Sequence, residues 1–318
     1  MRTNILIGTT AINRPELHND VMPDWIEWIC ELNKEQYNIK WFVNIDIITS
    51  LEPTFENTKD NFSKLINNRI DVTYLTNESG KGNFLEACKR VSQNIFDHNE
   101  TLENKENSKV IWLEDDWKLN KDAYMNINEL IDNYSTSLSH INLTFIRNNY
   151  LWALAPSIMG FELWKKLHYD GWKKQIEMID PEHCIGKYCI KLHGKEQKLT
   201  NLTILNRQIT EKYYDRGFFK NENSSYTYSK NNYILREDDK YVKLENVKEH
   251  YKDKMVFMRI TPTFCIGGGE YGREFMEKHN LHKARKQSED HQDFYDENEI
   301  KDEKSDLNKT SIMKEEKK

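Results

Sequence analysis

Glu114, Asp115 and Asp116 stand side by side, directly after the apolar run Val110–Leu113 and directly before Trp117. Three packed carboxylates at the mouth of a buried segment repel one another and lose hydration. A solvated acidic turn is the plain alternative in a chain whose residues are 31% charged. The buried run in front of the acids favours a divalent cation, which removes the repulsion. Hard oxygen donors suit Mg²⁺ or Mn²⁺, which take one or two carboxylates and complete their shell with substrate phosphates and water. The triplet is therefore expected to hold a metal-bound diphosphate. Alternate residues on an extended exit point different ways, so the three acids divide their roles. Asp116 is expected to be the direct metal ligand. Glu114 and Asp115 sit beside it, one of them against a ribose or the metal's waters.

The elements that must position these acids are legible in the first 120 residues. "NILIGTTA" reads as a buried strand that enters a loop, and "KWFVNIDIIT", "DVTYLTN" and "VIWLEDDW" read as three more strands. Between the first two, Val21, Trp25, Trp28, Ile29 and Leu32 recur at helical spacing. Leu85, Cys88, Val91, Ile95 and Phe96 do the same before the fourth strand. The order is strand, helix, strand, strand, helix, strand, which points to an α/β domain with a mostly parallel sheet. Ligands in such sheets sit at the carboxyl ends of the strands, where the acids lie. Beyond Asp116, "AYMNINELIDNY" reads as a helix, "HINLTFI" as a strand, and a helix is expected from Phe161. "DPEHCIGKY" opens another helix, with Asp180 as its cap and Pro181 at the first helical position. The expected organisation is 1–120 as a nucleotide-binding half, 121–282 as an acceptor half of the same domain, and 283–318 as a disordered, highly charged tail.

The bulk numbers limit the function classes. The formal net charge of the 318-residue chain is −6, without a basic block in its body, which disfavours nucleic acid as a partner. No apolar run approaches the roughly 18 residues of a membrane helix, and the first ten residues do not resemble a signal peptide. A soluble, cytoplasmic protein is expected. Five cysteines with no Cys-x-x-Cys pair read as free thiols and not as a zinc site.

Several segments together resemble the GT-A-fold glycosyltransferases that use nucleotide sugars. "LEDDW" at the end of the fourth strand resembles their Asp-x-Asp motif, in its Glu-Asp-Asp form. "GTTAINRPEL" (8–17) resembles the first nucleotide loop, "NESGKGNFLEACKRV" (77–91) the later donor-facing segment, "APSIMGFELWKKL" an acceptor-side segment, and "DPEHCIGKY" the helix that carries the catalytic base. The resemblance covers residues 4–190. It implies a GT-A-like sheet, Mn²⁺ or Mg²⁺, and transfer of a sugar from a nucleoside diphosphate to an acceptor hydroxyl on a glycan, protein or small molecule, with UDP as the default donor nucleotide. Thr9, Thr10 and Arg14 would line the nucleotide, and Gly82 and Asn83 would let the donor approach closely. Arg14-Pro15 also reads as a simple helix start, and Gly80 and Gly82 also read as turn residues.

Inverting transfer further needs a general base beside the acceptor hydroxyl. Glu182 is the first candidate and Asp180 the second, since Asp180 has a competing job as a helix cap. Retaining transfer needs no such base, so the stereochemistry stays open. His183, His193 and His250 are weaker candidates as extra metal ligands. "CIGGGEYGREF" (265–275) reads as a flexible loop, or as a flap over the diphosphate with Arg273 near the phosphates. Two rival readings remain. One is a nucleotidyltransferase, whose Gly-rich basic loop after the first strand is not matched by "GTTAINRPEL". The other is a non-catalytic binding protein that keeps the fold to recognise a glycan or a protein.

Overall fold

The structure, a computed structural model, describes residues 2–49, 51–77, 83–120, 125–143, 154–174, 181, 185, 200–206, 233–237, 240–242, 247–261 and 265–267. All of them fall within one compact unit, Met1–Gly268. The strands are β1 (Thr3–Ile12), β2 (Tyr37–Asp46), β3 (Asp71–Thr76), β4 (Lys109–Glu114), β5 (Trp117–Leu119), β6 (Ser139–Asn142), β7 (Ser157–Gly160), β8 (Thr200–Asn206), β9 (Tyr233–Glu237), β10 (Lys240–Val242), β11 (Val256–Thr261) and β12 (Cys265–Gly267). The helices are α1 (Pro15–Cys30), α2 (Phe55–Ile66), α3 (Phe84–Glu100), α4 (Ile127–Tyr134), α5 (Phe161–Trp164), α6 (Asp170–Lys173) and α7 (Val247–Tyr251), with a π-helical turn (Lys165–Tyr169) joining α5 to α6.

A ten-stranded sheet runs in the order β10-β9-β8-β11-β6-β7-β4-β1-β2-β3. Among its strands only β7 and β9 oppose the common direction. The mostly parallel α/β class expected from the sequence is what the chain adopts. β1 lies between β4 and β2 and is buried along nearly its whole length, which is why it reads as a continuous apolar run and not an alternating one.

α1 starts without a side-chain cap. Pro15 opens it with a preset φ, and Leu17, Val21, Trp25, Trp28 and Ile29 form its buried face. Its indoles anchor it to the far side of β4: Trp25 donates to the carbonyl of Trp117 at 2.6 Å and Trp28 to that of Met125 at 2.8 Å. α2 corrects the sequence reading, which joined β2 to β3 directly. Thr54 caps this helix by accepting from the Asn57 amide, Asn67 ends it in the left-handed region at φ 50°, and Thr58, Phe62 and Ile66 are its buried face. Its buried face is small and the stretch is otherwise polar. With α2 in place each parallel neighbour is reached through a helix, as a right-handed crossover requires.

α3 returns over the opposite face and packs tightly on β1. A Cβ at Gly8 would come within 2.9 Å of both Trp112 Cε3 and Val91 Cγ1 and 3.0 Å of Ile95 Cδ1, so the bare strand position lets the helix approach. Among the described residues no helix is long and apolar enough to cross a membrane.

Two glycines give a graded test of this packing. A Cβ at Gly160 would fall 2.0 Å from the Thr136 carbonyl oxygen and 2.3 Å from the Ser137 carbonyl, atoms of backbone that cannot turn aside. Gly160→Ala is expected to abolish folding. Gly8→Ala meets side chains that can shift and is expected to cost about 1–3 kcal/mol in urea unfolding.

Candidate functional site

The carboxyl ends of β4, β1 and β2 meet at one edge of the sheet, and their polar side chains form two clusters. The first is built on Asp115, whose side chain is 5% exposed. Its Oδ2 accepts from the Arg14 Nε at 2.9 Å, from the Ile12 amide at 3.1 Å and from His18 Nε2 at 2.9 Å, while Oδ1 accepts from Arg14 Nη2 at 2.5 Å. Arg14 stands at the start of α1 and His18 one turn later, so the two face the same carboxylate. Burial alone would raise the Asp115 pKa. The Arg14 charge and the hydrogen bonds from His18 and Arg14 outweigh it and hold the carboxyl well below the usual range. Burial lowers the pKa of His18 against the pull of Asp115, so at neutral pH the ring is neutral and carries its proton on Nε2. The ring also packs on Phe62 of α2, with centroids 4.5 Å apart.

Asp116 stands differently. Its side chain is 23% exposed, and its Oδ2 lies 3.7 Å from Arg14 Nη2, an ion-pair distance longer than the bonds that Asp115 holds. Burial first, and the Asp115 charge second, push its pKa up to about 6, against the lowering effect of Arg14. Glu114 closes β4, and its Oε2 accepts from the Trp117 indole at 2.9 Å. The next segment, β5, pairs antiparallel with β12, with Gly267 opposite Trp117. The first residues of the Gly-rich stretch are thereby set beside the acids despite their distance in sequence. Among the described residues no three His, Cys, Asp or Glu side chains are grouped as a metal cage.

The second cluster was not read from the sequence. Asp46, at the end of β2, is 4% exposed. Its Oδ1 accepts from Arg90 Nη2 at 2.5 Å and Asn44 Nδ2 at 2.9 Å, and its Oδ2 from the Asn83 amide at 3.1 Å. Asn83 in turn caps α3 by accepting from the Glu86 amide. Asn13 pins the segment after β2: its amide donates to the carbonyls of Ile48 and Pro53 and its oxygen accepts from the Ile48 amide. The available signal was positional. Asp46 ends the strand next to β1, as Asp115 follows the strand on its other side.

The expected site residues fall in several places. Arg14, Glu114, Asp115 and Asp116 are brought together. Thr10 sits in register between Asn44 and Glu114 and is nearly buried. Thr9 lies in the core, where its hydroxyl oxygen accepts from the Trp41 indole at 2.9 Å, which leaves it no surface for a nucleotide. Asn83 belongs to the Asp46 cluster as a helix cap. His250 is exposed on the short helix Val247–Tyr251, its ring against Tyr251. Gly80, Gly82, Asp180, Glu182, His183, His193 and Arg273 lie outside the described residues.

No family model matches the chain, and no curated protein matches it. Among solved structures it shows distant similarity to TarS of S. aureus (residues 1–349), at 13% identity over 52% of this chain and 48% of that one, with a TM-score of 0.32. The same TarS fragment in complex with UDP-GlcNAc matches at 12% identity over 52% and 47%, TM-score 0.31. A 4-diphosphocytidyl-2C-methyl-D-erythritol synthase matches at 11% identity over 60% and 87%, TM-score 0.34. The chain thus spans about half the length of the TarS fragment. Likenesses at this level identify neither a family nor an activity.

The two aspartates separate experimentally. Asp115→Asn takes away the nearest counter-charge of the buried Arg14 and is expected to cost about 3–5 kcal/mol of stability at pH 7. Asp116→Asn removes a charge that burial and Asp115 disfavour, and is expected to leave the fold at least as stable as the wild type at pH 7. Because the Asp115 pKa is lower in the folded than in the unfolded protein, its contribution is fully present above the unfolded value of about 3.9 and disappears as the pH falls below it. Chemical denaturation between pH 7 and pH 3 should show this acid loss in the wild type, and a smaller one in Asp115→Asn.

Proposed function

We propose that the protein is a metal-dependent glycosyltransferase, which moves a sugar from a nucleoside-diphosphate sugar, UDP by default, to an acceptor hydroxyl. The observation that carries this reading is the division of the triplet at the carboxyl end of β4. Asp115 is locked into the fold by Arg14, His18 and the Ile12 amide, while Asp116 is carried beside it to a partly exposed position. A purely solvated acidic turn needs no such clamp. The "LEDDW" resemblance supports the same assignment, as does the pairing of β12 beside Trp117, which brings the start of the Gly-rich stretch to the acids.

In this reading Asp116 holds Mn²⁺ or Mg²⁺, with Glu114 beside it. The ion, when bound, offsets the charge that develops on the diphosphate leaving group. Arg14 does not line the nucleotide directly. It keeps the Asp115 carboxylate ionised and fixed, and so fixes the peptide that presents Asp116. Glu182, with Asp180 as second candidate, is the proposed base for the acceptor hydroxyl in an inverting transfer.

Thermal unfolding with nucleoside diphosphates and nucleotide sugars, each with Mn²⁺, Mg²⁺ or EDTA, tests the reading. A ligand at 100 times its dissociation constant adds about 2.7 kcal/mol, a clear rise in Tm. The rise is expected for one nucleotide family, only with metal, and not in Asp116→Asn, which keeps its fold. No rise with any nucleotide, or a rise that ignores both EDTA and Asp116→Asn, would contradict it.

A further inference from the structure

Two buried histidines outside the strand-end site stand on either side of one packing boundary. His140 belongs to β6 of the sheet, and His168 to the π-helical turn between α5 and α6; both residues are 1% exposed. α5 packs on β4, β6 and β7, while the π turn and α6 pack on α3, so this layer covers the sheet where His140 lies. The His140 ring meets Phe257 of β11 edge-on, with centroids 5.7 Å apart. The His168 ring sits among three indoles: Trp172 at 4.4 Å, Trp112 at 5.4 Å and Trp164 at 6.4 Å between centroids. The π turn that carries it is an irregularity that recurs at functional positions.

Neither ring nitrogen of His140 has a hydrogen-bond partner among the described residues. A neutral imidazole tolerates such a place better than an imidazolium, which loses its hydration there and meets no carboxylate. The charged side chains of the surrounding elements are turned elsewhere. Glu162, Lys166 and Lys174 are exposed and Asp170 is half-exposed. Lys165 lies over the Phe96 ring and Lys173 over that of Tyr169, and Lys89 and Arg90 of α3 pair with Glu86 and Asp46. Arg259 of β11 stands two register positions beyond His140, opposite Asn142, and Cys88 and Tyr169 add a thiol and a phenol to the core. Burial pulls the His140 pKa down to about 3. Burial first, and the His140 charge second, hold that of His168 well below its ordinary value.

The layer also holds a later segment of the chain. The Trp172 indole donates to the Pro181 carbonyl at 3.2 Å, and Ile185 packs in the same core near Gly171. Pro181 stands between Asp180 and Glu182 in the chain, so lifting the layer takes with it the backbone between the two candidate bases.

We propose that the α5–α6 layer is an acid-sensitive latch: protons taken up by His140 and His168 release it from the sheet, and Pro181 with it. The latch rests on the buried pair; only its effect on an acceptor hydroxyl rests on the glycosyltransferase reading.

Hydrogen–deuterium exchange of the full chain, corrected for the intrinsic pH dependence of amide exchange, tests this between pH 7 and pH 5. A histidine whose pKa is lower in the closed than in the open layer stabilises the closed form fully above the open value of about 6.5, and that stability is lost as the pH falls below it. Each such histidine multiplies the opening equilibrium by about 25 over the interval. Amides of residues 161–173 are therefore expected to lose protection by more than about a hundredfold, and by at least about tenfold more than those of α4. His140→Leu and His168→Phe, each compared with its own protection at pH 7, are each expected to shrink the loss by about 25-fold. His140→Gln and His168→Gln take the place of either variant that fails to fold. Protection in 161–173 that is indifferent to pH, a loss of equal size in α4, or a loss unchanged by both substitutions would each overturn the proposal. Nucleotide binding at the strand end is not needed for any of these outcomes, so the latch and the glycosyltransferase reading fail separately.

Discussion

The strand-end surface depends on one buried carboxylate. Asp115 ties the exit of β4 to the loop after β1 and to the first turn of α1, through bonds to the Ile12 amide, Arg14 and His18. An ion pair withdrawn this far from water gains little net stability over a well-packed apolar alternative. Its contribution is to geometry. It fixes where the chain leaves β4, and the direction of that exit decides where Asp116 stands.

Other contacts reinforce the same exit. Trp117 accepts from the α1 indole of Trp25 and donates from its own indole to Glu114. β12 then pairs with β5 and covers the edge of the turn. On the other side of β1, Asp46 does for α3 and the end of β2 what Asp115 does for α1 and β4: a carboxylate at a strand end gathers an arginine and a backbone amide. The two strands that flank β1 thus lead into carboxylates that are spent on the fold, while the side chain of Asp116 keeps a partly exposed position beside Asp115.

Much of the fold was legible in the sequence because the central strands are buried on both faces. β1, β2 and β4 appear as apolar runs, and α1 and α3 as periodic ones. α2 was passed over because the stretch between β2 and β3 is largely polar, although Thr58, Phe62 and Ile66 stand at helical spacing and form its buried face. The acids were legible as chemistry, but not their division. The partners that lock Asp115 lie 101 and 97 residues away, and nothing local distinguishes it from Asp116. Arg14 and His18, one helical turn apart at the start of α1, were the available hint. Thr9 shows the opposite error: a polar residue in a ligand-like motif turns inward to serve the Trp41 indole.

The most direct measurement is the anomalous diffraction of crystals grown with Mn²⁺ and UDP. A manganese peak about 2.1 Å from an Asp116 carboxylate oxygen and in contact with the diphosphate, with Asp115 still bonded to Arg14 and His18, is the result predicted here. A peak on Asp115 with the Arg14 clamp broken, or ordered UDP with no metal at Asp116, would contradict the division of the triplet on which the account rests.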